Sequence, residues 1–351
     1  MAEKFAFETG KVSIAFGLRY GLGDSVVAKK VFDAFIELEP NCAIDIFFKE
    51  SQHRAFAEAF YGSSENLNQI LNYEKFYEKY VAEYDLAVWV VGTHCVIFDG
   101  ANVGRLQATA PNLLRAALQI QQYNKENVLN FKPLGYSVPL RKVVMSRILQ
   151  RNFFVFLSCD GALPIRDERI DLKLSPAYKR EFDKLKLGTY ITIYSNIHRD
   201  AIRPKTKSWP IKYLVEYVAS VKKNFPALEV VQVGGRDEAQ IANVDRKFLG
   251  CDLELTKYIL ANSLLHVGCE GGLIHLATAL QTKCLVIFGA SDWHYYGYDN
   301  NINIASEVCE PCLYVMENYG CVRGEENPPC MLDVMPQEVF DVTKEYLTSL
   351  A

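Results

Sequence analysis

The chain has 351 residues, half of them hydrophobic and 23% charged, and its formal net charge is -4. One hydrophobic core rarely serves so long a chain, so we expect two domains, and the globular composition excludes a mostly disordered protein. The slightly acidic charge disfavours nucleic-acid binding, because no overall positive field would attract phosphate backbones.

The first half of the chain alternates short apolar runs with longer amphipathic segments, a pattern typical of a mostly parallel α/β sheet. The predicted strands are the short apolar runs 12–16, 43–48, 85–91 and 153–157. A helix should follow the Gly-containing turn at 21–24, and apolar residues at helical spacing predict mostly helix over 102–150.

The second half repeats this alternation. The predicted strands are 190–194, 229–233, 264–267 and 284–289, and the predicted helices are 213–224, 255–261, 271–280 and 336–349. A charged helix at about 176–187 joins the halves, so we predict one domain over 1–178 and another over 179–351. Two doubly wound domains of this kind face a cleft and bind ligands at the carboxyl ends of their strands.

The turn at 21–24 has the sequence Gly-Leu-Gly-Asp and joins the first predicted strand to the first helix. Its glycines would let the backbone approach a ligand closely, and Asp24 would lie near the helix N-terminus. A tight turn with an Asp cap explains the same residues, since so short a motif is weak by itself.

The segment Lys207-Ser208-Trp209-Pro210 precedes the helix predicted at 213–224. A lysine at the mouth of an α/β cleft can hold a phosphate, with the tryptophan beside it. A solvated lysine and a packing tryptophan are the alternative.

A Gly-rich segment, Gly-Cys-Glu-Gly-Gly-Leu-Ile-His at 268–275, follows a predicted strand and opens an apolar helix. Free N–H groups and the positive end of the helix dipole make such a place an anion site. Glu270 cannot itself hold phosphate and would suit sugar hydroxyls better. The alternative is a Gly-rich turn with a core-packed His275.

Four cysteines in the loop 309–330 have the spacing C-x2-C-x8-C-x8-C: Cys309, Cys312, Cys321 and Cys330. Four thiolates in a loop too polar to pack well alone predict a structural zinc or iron site. Free thiols, or one oxidised pair, are the alternative. The other six cysteines lie in apolar or strand contexts and are predicted to be core residues.

These segments, taken in order, resemble glycosyltransferase family 9, the bacterial ADP-heptose–lipopolysaccharide heptosyltransferases, over nearly the whole chain. The resemblance is carried by Gly-Leu-Gly-Asp at 21–24, Lys-Ser-Trp-Pro at 207–210, the pair Gly234-Gly235, the segment 268–280 with the strand after it, and the Cys-rich tail ending Cys330-Met331. It implies a GT-B fold, with acceptor contacts mainly N-terminal and the nucleotide mainly C-terminal.

The resemblance also implies residue roles. Asp24 matches the family's proposed general base, and Lys207 matches the lysine that contacts the donor phosphates. The implied donor-binding residues are Gly23, Ser195, Lys207, Gly235, Glu270, Gly271, Gly272, Leu273 and His275. Transfer would be an inverting, metal-independent displacement, because Lys207 and a helix N-terminus can stabilise the leaving diphosphate.

Two residues depart from the family pattern. Glu270 stands where the family usually has Asp, and Arg236 lies near the place where some relatives carry a ribose-binding Glu. ADP-heptose is therefore the family's default donor and is not indicated by these residues. The acceptor stays open between a glycan, a lipid-linked molecule and a protein hydroxyl, as does assembly into an oligomer.

Two other functions compete with glycosyl transfer. A nucleotide-sugar 2-epimerase of the same architecture would need further carboxylates in the cleft, and a non-catalytic assembly partner would not need Asp24 and Lys207. The N-terminal sequence lacks the features of a signal peptide, and the apolar runs are shorter than the ~20 residues of a spanning helix. We therefore expect a cytoplasmic protein, with peripheral association at the inner membrane left open.

Overall fold

A computed structural model of the protein describes residues 10–18, 21–91, 95–127, 137–197, 205–315 and 320–350. These residues divide into two compact units, and each unit contains one sheet. Unit 1 comprises 1–142 and 153–173, whereas unit 2 comprises 143–152 and 174–351. The predicted α/β class is confirmed, since both sheets are dominated by parallel pairs.

Unit 1 has a five-stranded sheet in the order β3-β2-β1-β4-β5. Its strands are β1 (Val12–Leu18), β2 (Cys42–Phe48), β3 (Leu67–Asn72), β4 (Leu86–Val91) and β5 (Cys95–Ala101). All pairs are parallel except β4 with β5. The chain runs outward from β1 in one direction and from β4 in the other, so the topological switch point lies between these two strands. Open α/β sheets bind ligands beyond the carboxyl ends of the strands at such a point.

The helices that begin in unit 1 are α1 (Leu22–Leu38), α2 (Ser51–Tyr61), α3 (Tyr73–Tyr80), α4 (Val103–Thr109), α5 (Pro111–Asn127), α6 (Ser137–Leu149) and α7 (Phe154–Leu157). The helical prediction over 102–150 is confirmed where the chain is described, and 128–136 lie outside that part. The residues of α6 from 143 onward belong to unit 2.

The strand predicted at 153–157 is wrong, because Phe154–Leu157 forms one helical turn. Phe153, Phe154, Phe156 and Leu157 are all buried, so this short run has no polar position to reveal its period. The sequence prediction also missed β3 and β5. Both strands are partly exposed and contain polar residues or glycine, so neither is a continuous apolar run.

Unit 2 has a six-stranded sheet in the order β11-β10-β9-β6-β7-β8. Its strands are β6 (Tyr190–Ile193), β7 (Glu229–Gly234), β8 (Arg246–Leu249), β9 (His266–Cys269), β10 (Cys284–Phe288) and β11 (Ile302–Ala305). Every pair in it is parallel. The switch point lies between β6 and β9, so the residues that follow these two strands form the expected ligand site of this unit.

The helices of unit 2 are α8 (Lys179–Lys184), α9 (Ile211–Asn224), α10 (Leu253–Ala261), α11 (Gly272–Ala279), α12 (Trp293–Tyr296), α13 (Pro329–Asp333) and α14 (Pro336–Ser349). The closing helix α14 has the predicted limits and packs on α9, where Tyr217 Oη lies 3.0 Å from Thr343 Oγ1. Strand β9 is displaced by two residues from the prediction, and β8 and β11 were not predicted. Within the described ranges, no helix is long and apolar enough to cross a membrane.

Candidate active site

Asp24 lies in the first turn of α1, directly after the carboxyl end of β1 and thus at the switch point of unit 1. Gly21 precedes the helix, and its carbonyl accepts hydrogen bonds from the backbone N–H and the hydroxyl of Ser25, both at 3.0 Å. Asp24 is half-buried and Gly23 is buried. The turn therefore presents a carboxylate at the helix N-terminus, as predicted for Gly21-Leu22-Gly23-Asp24.

Lys207 and Glu270 form an ion pair in unit 2. Glu270 follows β9 and is buried, whereas Lys207 ends a short helical turn, Lys205–Lys207, and its side chain is 26% exposed. Lys207 Nζ lies 2.5 Å from Glu270 Oε2, which also accepts a hydrogen bond of 2.7 Å from the Ser291 hydroxyl. One carboxylate thus fixes the lysine at the carboxyl end of β9.

Glu270 is held in its charged form by this pairing. Burial acts most strongly and raises the pKa of Glu270, but the Lys207 ammonium, His275 and the Ser291 hydroxyl together outweigh it, and the pKa lies below its usual value. Lys207 is partly exposed and pairs with Glu270 on its buried side. Because an ammonium has three N–H donors, its exposed side can bind a second anion.

His275 lies in the first turn of α11 and is buried. Its Nδ1 is 2.7 Å from Tyr298 Oη, and its Nε2 is 3.9 Å from Glu270 Oε1. Burial lowers the pKa of His275 to about 4, which outweighs the opposite effect of Glu270. His275 is therefore a neutral imidazole near pH 7 that can orient neighbours by hydrogen bonds without adding charge.

The turn before α11 rests on Tyr194, the residue after β6. The Tyr194 hydroxyl donates to the carbonyl oxygen of Cys269, and its ring fills the space beside two glycines. A Cβ at Gly268 would lie 2.0 Å from the Tyr194 ring, and one at Gly271 would lie 3.0 Å from its hydroxyl oxygen. These glycines make room for a protein side chain, a role that the sequence pattern did not indicate.

The N-terminus of α11 points its first backbone N–H groups away from the helix. The carbonyl of Gly271 accepts from the N–H groups of Ile274 and His275 at 3.1 and 3.3 Å. The N–H groups of Gly272 and Leu273 have no helical partner by the geometry of a helix start. No acidic residue lies in this first turn, so the positive end of the helix can receive an anion.

Ser195 and Gly235, both predicted to bind the donor, are joined by a residue that sequence reasoning missed. The buried Glu238 accepts hydrogen bonds through Oε1 from the N–H groups of Ser195 and Asn196, each 2.7 Å, and through Oε2 from Gly235 N–H at 3.1 Å. A Cβ at Gly234 would lie 2.1 Å from Glu238 Oε2. The glycine pair at the end of β7 thus accommodates this carboxylate, which links the ends of β6 and β7.

The residues around Glu238 and the segment 207–210 belong to one hydrogen-bond network in unit 2. Asn196 Nδ2 donates to the carbonyl oxygen of Lys207 at 2.8 Å, and the Ser208 hydroxyl donates to the carbonyl oxygen of Asn196 at 2.9 Å. Trp209 is fully buried, and its indole N–H donates to the carbonyl oxygen of Val334 at 2.9 Å. The network connects the predicted donor-binding residues, whereas Gly23 and Asp24 lie in unit 1.

The segment after β10 completes the surroundings of Lys207 and was not singled out from the sequence. Besides Ser291, it contributes Tyr296, whose ring centroid lies 5.7 Å from Lys207 Nζ, and Tyr298, the partner of His275. Its run of aromatic residues at 293–298 was the signal that the sequence offered.

The four loop cysteines are free thiols that lie near one another. Burial raises the pKa of Cys330 to about 12, and the thiols of Cys309, Cys312 and Cys321 add to the rise. Residues 316–319 of this loop lie outside the described residues. Among the residues that are described, no three His, Cys, Asp or Glu side chains are arranged so as to hold a metal ion.

Comparisons with solved structures show what this fold is similar to. The E. coli ADP-heptose lipopolysaccharide heptosyltransferase II aligns with a TM-score of 0.61 at 13% identity, covering 97% of this chain and 100% of that chain. The glycosyltransferase family 9 protein of Veillonella parvula aligns with a TM-score of 0.64 at 12% identity, covering 98% and 100%. TibC from enterotoxigenic E. coli, an iron-containing dodecameric glycosyltransferase, aligns with a TM-score of 0.64 at 15% identity, covering 98% and 79%.

At such low identities these similarities establish the fold alone, which confirms the predicted GT-B type with two Rossmann-like domains. No curated protein sequence matches the chain. The sequence profile described as glycosyltransferase family 9 (heptosyltransferase) matches residues 114–322, which is more than half of the chain. The predicted resemblance is thereby confirmed: the protein belongs to glycosyltransferase family 9 and is a glycosyltransferase.

Proposed function

We propose that the protein transfers a sugar, heptose by family default, from a nucleoside diphosphate sugar to an acceptor hydroxyl by inverting displacement, without a divalent metal ion. The observation that carries this proposal is the open N-terminus of α11 beside the Lys207–Glu270 pair, at the switch point of unit 2. A site with an ammonium and the first backbone N–H groups of a helix suits the diphosphate of such a donor.

The diphosphate is the leaving group of the reaction. The acceptor oxygen forms a bond to the anomeric carbon while the bond from that carbon to the phosphate oxygen breaks, and the electron pair leaves with the diphosphate. Lys207 and the N–H groups of Gly272 and Leu273 stabilise the charge that develops there. Glu270 keeps the lysine in place, and the Ser291 hydroxyl donates to the same oxygen of Glu270 that pairs with Lys207.

Asp24 takes the proton of the attacking hydroxyl. Its place in the first turn after β1, half-buried and at the ligand-binding edge of the unit 1 sheet, supports this role. A carboxylate within reach of the acceptor oxygen serves as a general base during attack. Contacts of Glu270 with sugar hydroxyls and of Ser195 with the donor stay predictions, since both side chains already have protein partners.

The nucleotide is proposed to be ADP. This proposal is supported by TibC, a protein of similar fold that has been solved in complex with ADP-D-β-D-heptose. The acceptor is proposed to be a hydroxyl of a glycan, a lipid-linked molecule or a protein. The test is to incubate the protein with ADP-heptose and candidate acceptors, with and without EDTA, while ADP release and the product anomer are followed.

We expect ADP release that depends on the acceptor, continues in EDTA and gives the opposite anomeric configuration. Loss of release in EDTA that magnesium restores would contradict the metal-independent mechanism, and retention of configuration would contradict a single displacement. Conversion of the free nucleotide sugar into its epimer would support the 2-epimerase alternative instead.

We further propose that Cys309, Cys312, Cys321 and Cys330 bind one structural zinc or iron ion. The mutual effect of the thiols on the pKa of Cys330 supports this proposal, and TibC is iron-containing. The described side chains do not themselves form a metal-binding arrangement, so metal content decides this proposal. Elemental analysis of protein purified without added metal is expected to give about one ion per chain, because four thiolates form a closed tetrahedral site.

Cys312→Ser should lower both the metal content and the melting temperature. Cys251→Ser, at a half-buried cysteine outside the loop, is the matched control and should change neither. Metal-free protein together with an unchanged melting temperature in Cys312→Ser would refute the metal site.

A further inference from the structure

The segment 291–298 forms one side of the proposed donor site. Ser291 donates to Glu270 at 2.7 Å, the Tyr296 ring lies 5.7 Å from Lys207 Nζ, and Tyr298 Oη lies 2.7 Å from His275 Nδ1. Three residues of the site thus depend on where this segment lies. We call it the donor-side segment.

The donor-side segment is fastened from the other direction by Arg147. Arg147 Nε lies 2.6 Å from Asp292 Oδ2, and the Asp292 side chain is only 1% exposed. The other oxygen of Asp292 accepts a hydrogen bond of 2.8 Å from the backbone N–H of His294 and so caps α12. Arg147 therefore neutralises a buried carboxylate that directly follows Ser291.

Two neighbours of Arg147 hold the same segment. The Ser146 hydroxyl lies 2.9 Å from the carbonyl oxygen of His294, and Asn152 Nδ2 donates to the carbonyl oxygen of Gly297 at 3.3 Å. Arg147 also forms an ion pair with the exposed Glu310 at 2.7 Å. Ser146, Arg147 and Asn152 all belong to residues 143–152, which are part of unit 2.

Arg147 supplies the positive charge that faces the buried Asp292. Its Nε and Asp292 Oδ2 are 2.6 Å apart, and Asp292 is one of the groups that raise the pKa of Arg147. Without the guanidinium, the printed partners of Asp292 would be those of His294 alone, its backbone N–H at 2.8 Å and its ring Nδ1 at 3.1 Å, and a buried carboxylate that loses its ion-pair partner is strongly unfavourable. The segment would then move to hydrate Asp292, and Ser291 and Tyr296 would move with it.

We propose that Arg147 is a positioning residue for donor binding: it holds the donor-side segment against Lys207 and Glu270 by compensating Asp292. This inference rests on the proposed function for the identity of the ligand. Its effect should reach the turn at 268–271 through the Ser291–Glu270 hydrogen bond, although Arg147 itself contacts none of the donor-binding residues named above.

The test uses four variants of the full chain. Arg147→Ala removes the charge, and Arg147→Lys keeps it. Arg147→Ala/Asp292→Asn removes both charges while keeping a good helix cap, since Asn caps helices as well as Asp does. Arg151→Ala, at an exposed arginine of the same stretch, is the matched control.

The first readout is backbone hydrogen exchange of the protein without ligand, which reports local opening. Arg147→Ala should speed exchange in 291–298 and in 268–275, and both the lysine variant and the double variant should reverse most of this change. Faster exchange confined to 143–152, with 268–275 unchanged, would overturn the inference whatever the protein binds.

The second readout is a titration with ADP, and with UDP and GDP, well below the unfolding temperature. Arg147→Ala should weaken nucleotide binding between about twofold and thirtyfold, the range of energetic coupling through packed networks. The Arg151→Ala control should bind as the wild type does. A folded Arg147→Ala variant with wild-type affinity would overturn the inference. A wild type that binds none of the three nucleotides would instead contradict the proposed function, and the exchange data would still decide the role of Arg147.

Discussion

Two junctions of the molecule share one local design and differ in charge. In unit 1, β1 leads through Gly21 into α1, and in unit 2, β9 leads through Gly271 into α11. Both junctions lie at the switch point of their sheet. The first turn of α1 carries Asp24, whereas the first turn of α11 carries no acid and has Lys207 beside it, fixed by Glu270.

This difference shows how the N-terminus of a helix can be used in two ways. The positive end of a helix dipole favours a negative charge close to it. In α1 the protein supplies this charge itself, so this junction is unsuited to a phosphate and suited to accepting a proton. In α11 the first turn carries no acidic residue, which supports the proposed binding of a diphosphate there. Three predictions test this division of roles, from the largest expected effect to the smallest, and a fourth tests the neutral state of His275.

Asp24→Asn should reduce transfer by about a hundredfold or more, the usual scale for the loss of acid–base help. ADP affinity and the melting temperature should stay close to wild type, because the amide has nearly the same shape and can hydrogen-bond at a helix N-terminus. Steady-state transfer and an ADP titration on the same preparation measure both quantities. Near-normal turnover in the folded variant would show that the base is elsewhere.

Lys207→Ala should weaken ADP binding by roughly tenfold to a hundredfold, because a hydrogen bond to a charged group contributes about 1.5–3 kcal/mol. The substitution also leaves the buried Glu270 without its ammonium, so a second variant is needed. Lys207→Ala/Glu270→Gln removes that buried charge. If the double variant binds ADP as tightly as wild type, the lysine acts only by compensating Glu270, and its proposed contact with phosphate is wrong.

Leu273→Asp places in α11 the kind of carboxylate that α1 has. ADP affinity should fall by about tenfold, since the charge occupies the helix terminus and repels the diphosphate. Leu273→Asn is the matched control for size and polarity, and its affinity should lie much closer to wild type. Equal losses in the two variants would mean that the charge at this terminus does not decide binding.

His275 should make the protein less stable in mild acid. Its pKa lies at about 4 in the folded protein, against 6.5 as its ordinary value. Between these values the unfolded chain binds more protons than the native state, so the free energy of unfolding falls as the pH falls from 6.5 towards 4. The loss from this residue should be on the order of 1 kcal/mol between pH 6.5 and 5.5.

Denaturant unfolding of His275→Gln and wild type at both pH values measures this contribution. The variant should lose less stability than wild type over the same interval. The buried His266, whose pKa burial lowers to about 3, remains in both proteins and gives them a shared background slope. Identical pH dependence of the two proteins would contradict a buried neutral His275.

The sequence predicted the parts of the fold that repeat a period and left out those that depend on distant contacts. Helix α14 could be placed to the residue because Pro336 starts it and its apolar residues follow a regular spacing. The wholly apolar run at 153–157 gave no period, and the prediction of a strand there was wrong.

The candidate site shows the same limit. Its members could be chosen from the sequence, because glycines at strand ends and a nearby lysine form recognisable patterns. Their partners could not, since Glu238, Tyr194 and Arg147 act through residues far away in sequence. Arg147 is the clearest example, because it lies 145 positions before Asp292 and in a helix that begins in unit 1.

A crystal structure of the protein with ADP tests most directly whether the N-terminus of α11 holds the donor diphosphate. The β-phosphate should lie within hydrogen-bonding distance of Lys207 Nζ and of the backbone N–H groups of Gly272 and Leu273, with Lys207 still paired to Glu270. An ADP molecule whose phosphates lie away from this turn, or beside Asp24 instead, would contradict the division of roles between the two junctions.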